Sequence, residues 1–275
     1  MIINLSEYWT HNLSPFIWQF PEPYDSWGPG GIRWYGIAYL LGFLTAVILL
    51  RNAWKKGKSP YDPEQVMNLM TFQILGVLIG GRIGYALLYQ GSKFLEDPLI
   101  IFRVWEGGMA SHGGFVGVCI ATLWYAKQSR QSPFPVGDLI VSIVSPGLFF
   151  GRIANFINGE LFGKPTNIYW SVIFPEQDNL PRHPSQIYEA LLEGLVLFVI
   201  LNLFIFKKKY RIGLCSILFL TLYGIFRIFS EFFREPDVQI GYIFNYLSMG
   251  TFLSIIMIFV GIILFIKSDK NEFNK

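Results

Sequence analysis

A chain of 275 residues with 52% hydrophobic and only 15% charged residues is not a soluble domain, because several of its apolar runs reach the ~20 residues needed to cross a bilayer. The net charge of +3 is too small to argue for a nucleic-acid partner, and none is expected. Cys119 and Cys215 lie in apolar runs with no CxxC and no neighbouring His cluster, which excludes a disulfide framework and a metal site; no metal and no cofactor are expected.

Residues 1–31 are aromatic and broken by Pro and Gly, with Trp9, Phe16, Trp18, Phe20, Tyr24 and Trp27. Such a segment suits the membrane–water interface rather than a span, and it has neither the basic start nor the compact apolar run of a cleavable signal peptide. The first span is predicted over Ile32–Leu50, followed by Arg51, Lys55, Lys56 and Lys58. The second covers Val66–Tyr89 and carries Arg82. Ser92–Trp105 is amphipathic and contains Pro98, which predicts a surface segment. The third span is Met109–Ala126 and the fourth Val136–Ile157. Residues 158–183 read as a polar loop. Pro184–Phe206, Gly213–Phe233 and Asn245–Ile266 complete seven spans of a single all-α integral membrane domain, residues 1–275.

The basic residues orient it. Segments 51–60, 127–130, 207–211 and 267–275 hold 13 Lys and Arg; segments 1–31, 90–108, 158–183 and 234–244 hold five. The positive-inside rule then places the N-terminus and the 158–183 loop outside and the C-terminus in the cytoplasm. Arg82, Arg152 and Arg227 fall at the outer ends of spans two, four and six. The tripeptide GRI recurs at 81–83 and 151–153, which is weak evidence of duplication.

The stretch SPGLFFGRIANFINGELFG, residues 145–163, carries Arg152, Asn155, Asn158 and Glu160. A cation in a membrane-length segment costs at least ~3 kcal/mol and needs a partner or a task. On a helix Arg152, Asn155 and Gly159 share a face, and Gly147, Gly151, Gly159 and Gly163 permit close approach of backbone or ligand. The alternative is an arginine paired to a carboxylate only to lock two helices. His112, in EGGMASHGGFVG (106–117), lies in a glycine-rich stretch ill suited to a continuous helix and suited to acid–base work. Tyr223, Arg227, Glu231 and Arg234 form one stripe on span six, whose bland reading is an internal Arg227–Glu231 salt bridge with Arg234 merely snorkelling. His183, Gln186 and Glu189 read as one face of span five, Glu193 a turn deeper, with the carboxylates as counter-ions to Arg82, Arg152 or Arg227. Tyr35 and Tyr39 read as interfacial aromatics. Three arginines against few carboxylates predict a positive outer site, and the anion most available there is a phospholipid phosphate, which suits the arginine fork.

Taken together, RWYG (33–36), HGGFVG (112–117), GRIANFINGELFG (151–163), HPSQIYE (183–189) and YGIFRIFSEFFREPD (223–237) resemble the prolipoprotein diacylglyceryl transferases of bacterial plasma membranes. The resemblance implies a seven-helix, multi-pass enzyme that moves the sn-1,2-diacylglyceryl group from phosphatidylglycerol to a preprolipoprotein's lipobox cysteine, releasing glycerol-1-phosphate. It implies functional roles for Tyr35, His112, Arg152, Asn155, Glu160, Gly163, Tyr223, Arg227 and Glu231, and Arg82 is a further candidate for the phosphatidylglycerol site. The rival reading is a transporter or flippase that passes an anion along the same arginines.

Overall fold

The computed structural model describes residues 8–21, 30–103, 108–207, 211–236, 242–243 and 247–267. The expectations for Tyr24, Trp27, Glu106, Gly107 and the basic tail lie outside them. The chain is mostly helical: α1 (Trp34–Lys55), α2 (Pro63–Tyr89), α3 (Gly91–Glu96), α4 (Ser111–Gln128), α5 (Pro133–Ile157), α6 (Ser185–Glu189), α7 (Leu197–Ile205), α8 (Leu214–Glu231) and α9 (Met249–Lys267). A π-helical stretch, Ala190–Val196, joins α6 to α7 into one rod. Among the described residues, six helical segments can cross a membrane by length and composition: Trp34–Lys55, Pro63–Leu87, Pro133–Ile157, Ser185–Ile205, Leu214–Glu231 and Met249–Lys267. The expected third span, α4, is not among them. Its 18 residues reach about 27 Å, but four polar residues, Ser111, His112, Lys127 and Gln128, occupy its ends and glycines replace apolar side chains in between.

Outward and inward faces are inverted relative to a water-soluble protein. Leu40, Ile79, Ile120, Leu203 and Phe259 are each more than half exposed, whereas Glu189 and Glu193 are fully buried. Lipid accepts the former, and only protein partners can accept the latter.

Two compact units are present, Met1–Ala46 with Ile140–Lys275, and Val47–Leu139. In the second, α2 begins three residues earlier than its apolar pattern predicts. Asp62 and Gln65 form a reciprocal capping box, Gln65 N–H to Asp62 Oδ1 at 2.9 Å, with Pro63 opening the helix, an arrangement worth about 1 kcal/mol. α2 and α4 meet along glycines: a Cβ on Gly117 would lie 1.9 Å from the Gly76 carbonyl, and one on Gly113 2.2 Å from that of Gly80. Small residues at such spacing let backbones touch where no hydrophobic drive exists between helices. The surface segment is broken in two, α3 and a 3₁₀ turn at Pro98–Phe102, because Pro98 cannot continue α3 and Asp97 caps the new start through Leu99 N–H at 3.1 Å.

In the first unit, α5 contains Pro146. Proline has no N–H for the carbonyl four residues back, Ser142, and Asn202 Nδ2 on α7 donates to that oxygen at 2.9 Å instead. Gly194 lets the π-helical stretch press on α5, since its Cβ would sit 2.6 Å from Phe149 Cβ. α9 packs on α8 at Gly224 and Gly261 in the same way. Residues 158–183 are more than a polar loop. Strands β1 (Trp9–Thr10), β4 (Val172–Ile173) and β5 (Pro181–Arg182) form a small sheet, β1 parallel and β5 antiparallel to β4, over buried Phe174. Strands β2 (Phe16–Gln19) and β3 (Gly31–Arg33) pair antiparallel before α1, and β6 (Tyr242–Ile243) and β7 (Leu247–Ser248) before α9. The N-terminal aromatic segment thus supplies strands to the first unit.

Candidate active site

Three helices of the first unit bring six charges together. Arg152 Nε on α5 lies 2.9 Å from Glu189 Oε2, and its Nη2 3.4 Å from Glu193 Oε2. Arg227 Nη1 on α8 lies 2.9 Å from Glu189 Oε1 and 3.4 Å from Glu193 Oε1, and its Nη2 2.5 Å from Glu231 Oε1. Arg234, expected to snorkel, is buried and reaches Glu231 at 3.5 Å and Glu189 at 3.8 Å. Glu189 and Glu193 are therefore counter-ions of Arg152 and Arg227. The positive outer site expected from sequence is corrected: three guanidiniums face three carboxylates, formally neutral. Removing one partner of such a buried pair strands a charge at a cost of roughly 3–5 kcal/mol. Gly250 leaves room for the Glu231 carboxylate, since a Cβ there would lie 2.5 Å from its Oε1.

Arg152 is the least enclosed of these arginines, its side chain 17% exposed against 9% for Arg227 and 7% for Arg234. Its Nη1 has no hydrogen-bond or ion-pair partner among the described residues. A guanidinium with one donor edge anchored and another open can hold an anion without losing its place.

One turn beyond Arg152, Asn155 Nδ2 donates to the Tyr35 hydroxyl and, at 2.8 Å, to Glu160 Oε1, and the Tyr35 hydroxyl donates to the same Glu160 oxygen. A turn at the end of α5 creates this set. The helix stops at Ile157, so Gly159 does not continue the Arg152 face; it closes the helix in a left-handed conformation, φ 66°. Glu160 N–H reaches the Asn155 carbonyl at 3.1 Å and Gly159 N–H the Phe156 carbonyl at 3.0 Å, the two bonds of a Schellman motif. Asn155 and Glu160 are the positions that motif brings together, and here a polar contact takes the place of the usual apolar one. Leu161 follows at φ 56°, a rare conformation for a side chain with a Cβ. It is held by its surroundings: Gln186 Nε2 donates to the Glu160 carbonyl at 2.7 Å and Ser185 Oγ to that of Leu161 at 3.1 Å. Tyr35 is thus more than an interfacial aromatic, whereas Tyr39 stacks on it and stays exposed.

Gly163 serves the backbone. A Cβ would lie 2.4 Å from the His183 carbonyl and 2.7 Å from that of Phe233, so the chain threads between them. His183 lies before α6 rather than on the face of Gln186 and Glu189, and its Nδ1 is 3.2 Å from the Tyr188 hydroxyl. Burial and the nearby Lys164 lower its pKa, which favours the neutral ring. Arg182 clasps this region, with Nη2 2.5 Å from Asp178 and Nη1 donating to the Gly163 carbonyl at 2.9 Å and to Glu235 at 3.1 Å. Those bonds hold the Asp178 carboxyl below the usual carboxylate range. Sequence reasoning passed over Arg182 and gave Arg234 no task; the buried positions of both come from strands and turns that apolar periodicity does not report.

The other candidates are Arg82, His112 and Tyr223. Arg82, in the second unit, donates to the carbonyls of Ile100, Ile101, Arg103 and Gly108 at 2.8–3.1 Å, so its charge fastens the segment that precedes α4. His112 is on the first turn of α4, and its side chain lies outside the described residues. Tyr223 is one turn before Arg227 and stacks on Phe219, ring centroids 5.5 Å apart.

A sequence model of the family described as prolipoprotein diacylglyceryl transferase matches residues 25–267. The phosphatidylglycerol–prolipoprotein diacylglyceryl transferase of Oleidesulfovibrio alaskensis is 50% identical over 246 residues, 89% of this chain and 92% of its own length. The protein of the same name in Vibrio parahaemolyticus is 49% identical over 243 residues, 88% and 89% of the two chains. That of Photobacterium profundum is 48% identical over 245 residues, 89% and 92%.

Proposed function

The chain belongs to the prolipoprotein diacylglyceryl transferase family, and from that premise we propose that it moves the sn-1,2-diacylglyceryl group of phosphatidylglycerol onto the lipobox cysteine of a preprolipoprotein. The observation that carries the site assignment is the open Nη1 edge of Arg152, on a guanidinium whose Nε and Nη2 are already fixed by Glu189 and Glu193. The substrate thiolate attacks the glyceryl carbon that bears the phosphate ester; the carbon–sulfur bond forms as the carbon–oxygen bond breaks. The electron pair of the broken bond stays on the phosphate oxygen, and glycerol-1-phosphate leaves. The thiol proton passes to a base, for which His112 is the candidate. Arg152, backed by the ion-pair set, meets the charge that grows on the leaving oxygen, and preorganised donors of this kind contribute most where water is excluded. Tyr35, Asn155 and Glu160 line the adjoining turn, where hydroxyl and amide dipoles orient the headgroup. Arg227, Glu231 and Tyr223 hold the arginine set from α8, Gly163 shapes the loop, and Arg82 braces the approach to His112.

The protein is proposed to lie in the bacterial inner membrane with seven spans, α4 being the one of marginal hydropathy, and with the N-terminus and residues 158–183 outside. The test is purified protein in phosphatidylglycerol vesicles with a lipobox peptide, read by mass spectrometry. A peptide carrying a thioether-linked diacylglyceryl group, with stoichiometric glycerol-1-phosphate, is the expected product. Anion flux across the vesicle wall with no modified peptide would replace this reaction with transport.

A further inference from the structure

His11 lies upstream of the residues matched by the family model, 25–267, yet it is built into the turn that sets Asn155 against Glu160. Strand β1 docks parallel on β4, Trp9 opposite Val172 and Thr10 opposite Ile173, and His11 N–H extends the pairing to the Ile173 carbonyl at 2.8 Å. That places the His11 ring among Trp9, Phe156 and Phe174, with centroids 5.7, 5.7 and 5.2 Å away. Its Nε2–H donates to the Phe156 carbonyl at 2.8 Å. This carbonyl is one of the two acceptors of the Schellman motif, and it also takes Gly159 N–H at 3.0 Å, so both lone pairs are used. The ring covers Gly159 as well: its Cε1 lies 3.4 Å from where a Gly159 Cβ would be.

A carbonyl oxygen can only accept. Nε2 must therefore carry the proton in this contact. The ring is thus a clamp rather than a proton carrier. It fixes the end of α5 from the N-terminal side in sequence, whereas Gln186 and Ser185 hold the same turn from the C-terminal side.

We propose that His11 is a positioning residue: by donating to the Phe156 carbonyl it holds the α5 terminal turn in the register at which Asn155, Glu160 and Tyr35 share their hydrogen bonds. The catalytic consequence rests on the transferase reading; the effect on the turn does not. The test uses the full chain with His11→Phe, which keeps an aromatic ring and loses the N–H, and His11→Gln, which returns a donor. Amide exchange over residues 158–161 and initial rates in phosphatidylglycerol vesicles with a lipobox peptide are measured on protein whose thermal unfolding matches the parent. Expected for His11→Phe is exchange faster by about fivefold and kcat lower on the order of tenfold, with KM for phosphatidylglycerol within about twofold. The pH profile should superimpose on that of the parent, and His11→Gln should recover most of both losses. Unchanged exchange and rate in His11→Phe, or losses that follow the unfolded fraction, overturn the proposal. Should the parent itself make no thioether, the transferase reading fails, and exchange alone still decides whether His11 holds the turn.

Discussion

Arg152 and Arg227 share two carboxylates, but they differ in what those carboxylates leave open. Arg227 is committed on Nη1 and Nη2, whereas Arg152 keeps Nη1 without a partner among the described residues. The proposed leaving-group role therefore falls to Arg152, and lysine cannot reproduce a fork that is anchored and donating at once. Arg152→Lys is expected to lose about 10²–10³ in initial rate, the range for a donor to a developing oxyanion. His112→Gln should lose less, and its activity should climb with pH. A thiol of pKa near ~8.5 is only a few per cent thiolate at neutral pH, so removing a base costs at most about 30-fold, which alkali returns. Initial rates of the folded variants from about pH 6.5 to about pH 9 check both. A His112→Gln variant dead at every pH beside an active Arg152→Lys would exchange the two roles.

Elements here are joined by substitutions for missing backbone groups. Pro146 removes a donor from α5 and Asn202 on α7 returns one. Asn202→Leu should lower unfolding stability in detergent by about 1 kcal/mol or somewhat more. Pro146→Ala lets α5 satisfy the Ser142 carbonyl itself, so the double variant should lose less than the sum of the singles. Strict additivity would show that the two residues are not coupled. The same elements show what sequence can and cannot convey. Arg152 and Asn155 share a face through local helical spacing, and a buried cation demands a counter-ion, so Glu189 and Glu193 are legible as counter-ions, while which arginines they meet is decided only by the fold. The end of α5 at Ile157 matches the expected span as well, but the turn beyond it does not follow: helical spacing puts Gly159 on the face of Arg152, and the partners that hold the turn, Gln186, Ser185 and His11, are distant in sequence. The strands across residues 158–183 are two residues each, too short to leave an alternation, and α4 has the glycines of a packing face where apolar side chains would announce a span.

For the molecule as a whole, the 13-to-5 asymmetry of basic residues predicts that residues 158–183 face outside. A membrane-impermeant thiol reagent applied to intact cells should modify Asn167→Cys and spare Lys207→Cys, both in a background without Cys119 and Cys215. Modification of Lys207→Cys alone would invert the topology. The balanced set of three arginines and three glutamates has a further consequence for turnover. A site that neutralises itself needs no counter-ion from water. The phosphodiester that enters has one negative charge; the phosphomonoester that departs carries up to two, its second ionisation lying near pH 6. Glu189 and Glu193, which hold Arg152 in place, offset part of its attraction for that dianion, so in the proposed reaction the spent headgroup is held less tightly than by an arginine without counter-ions.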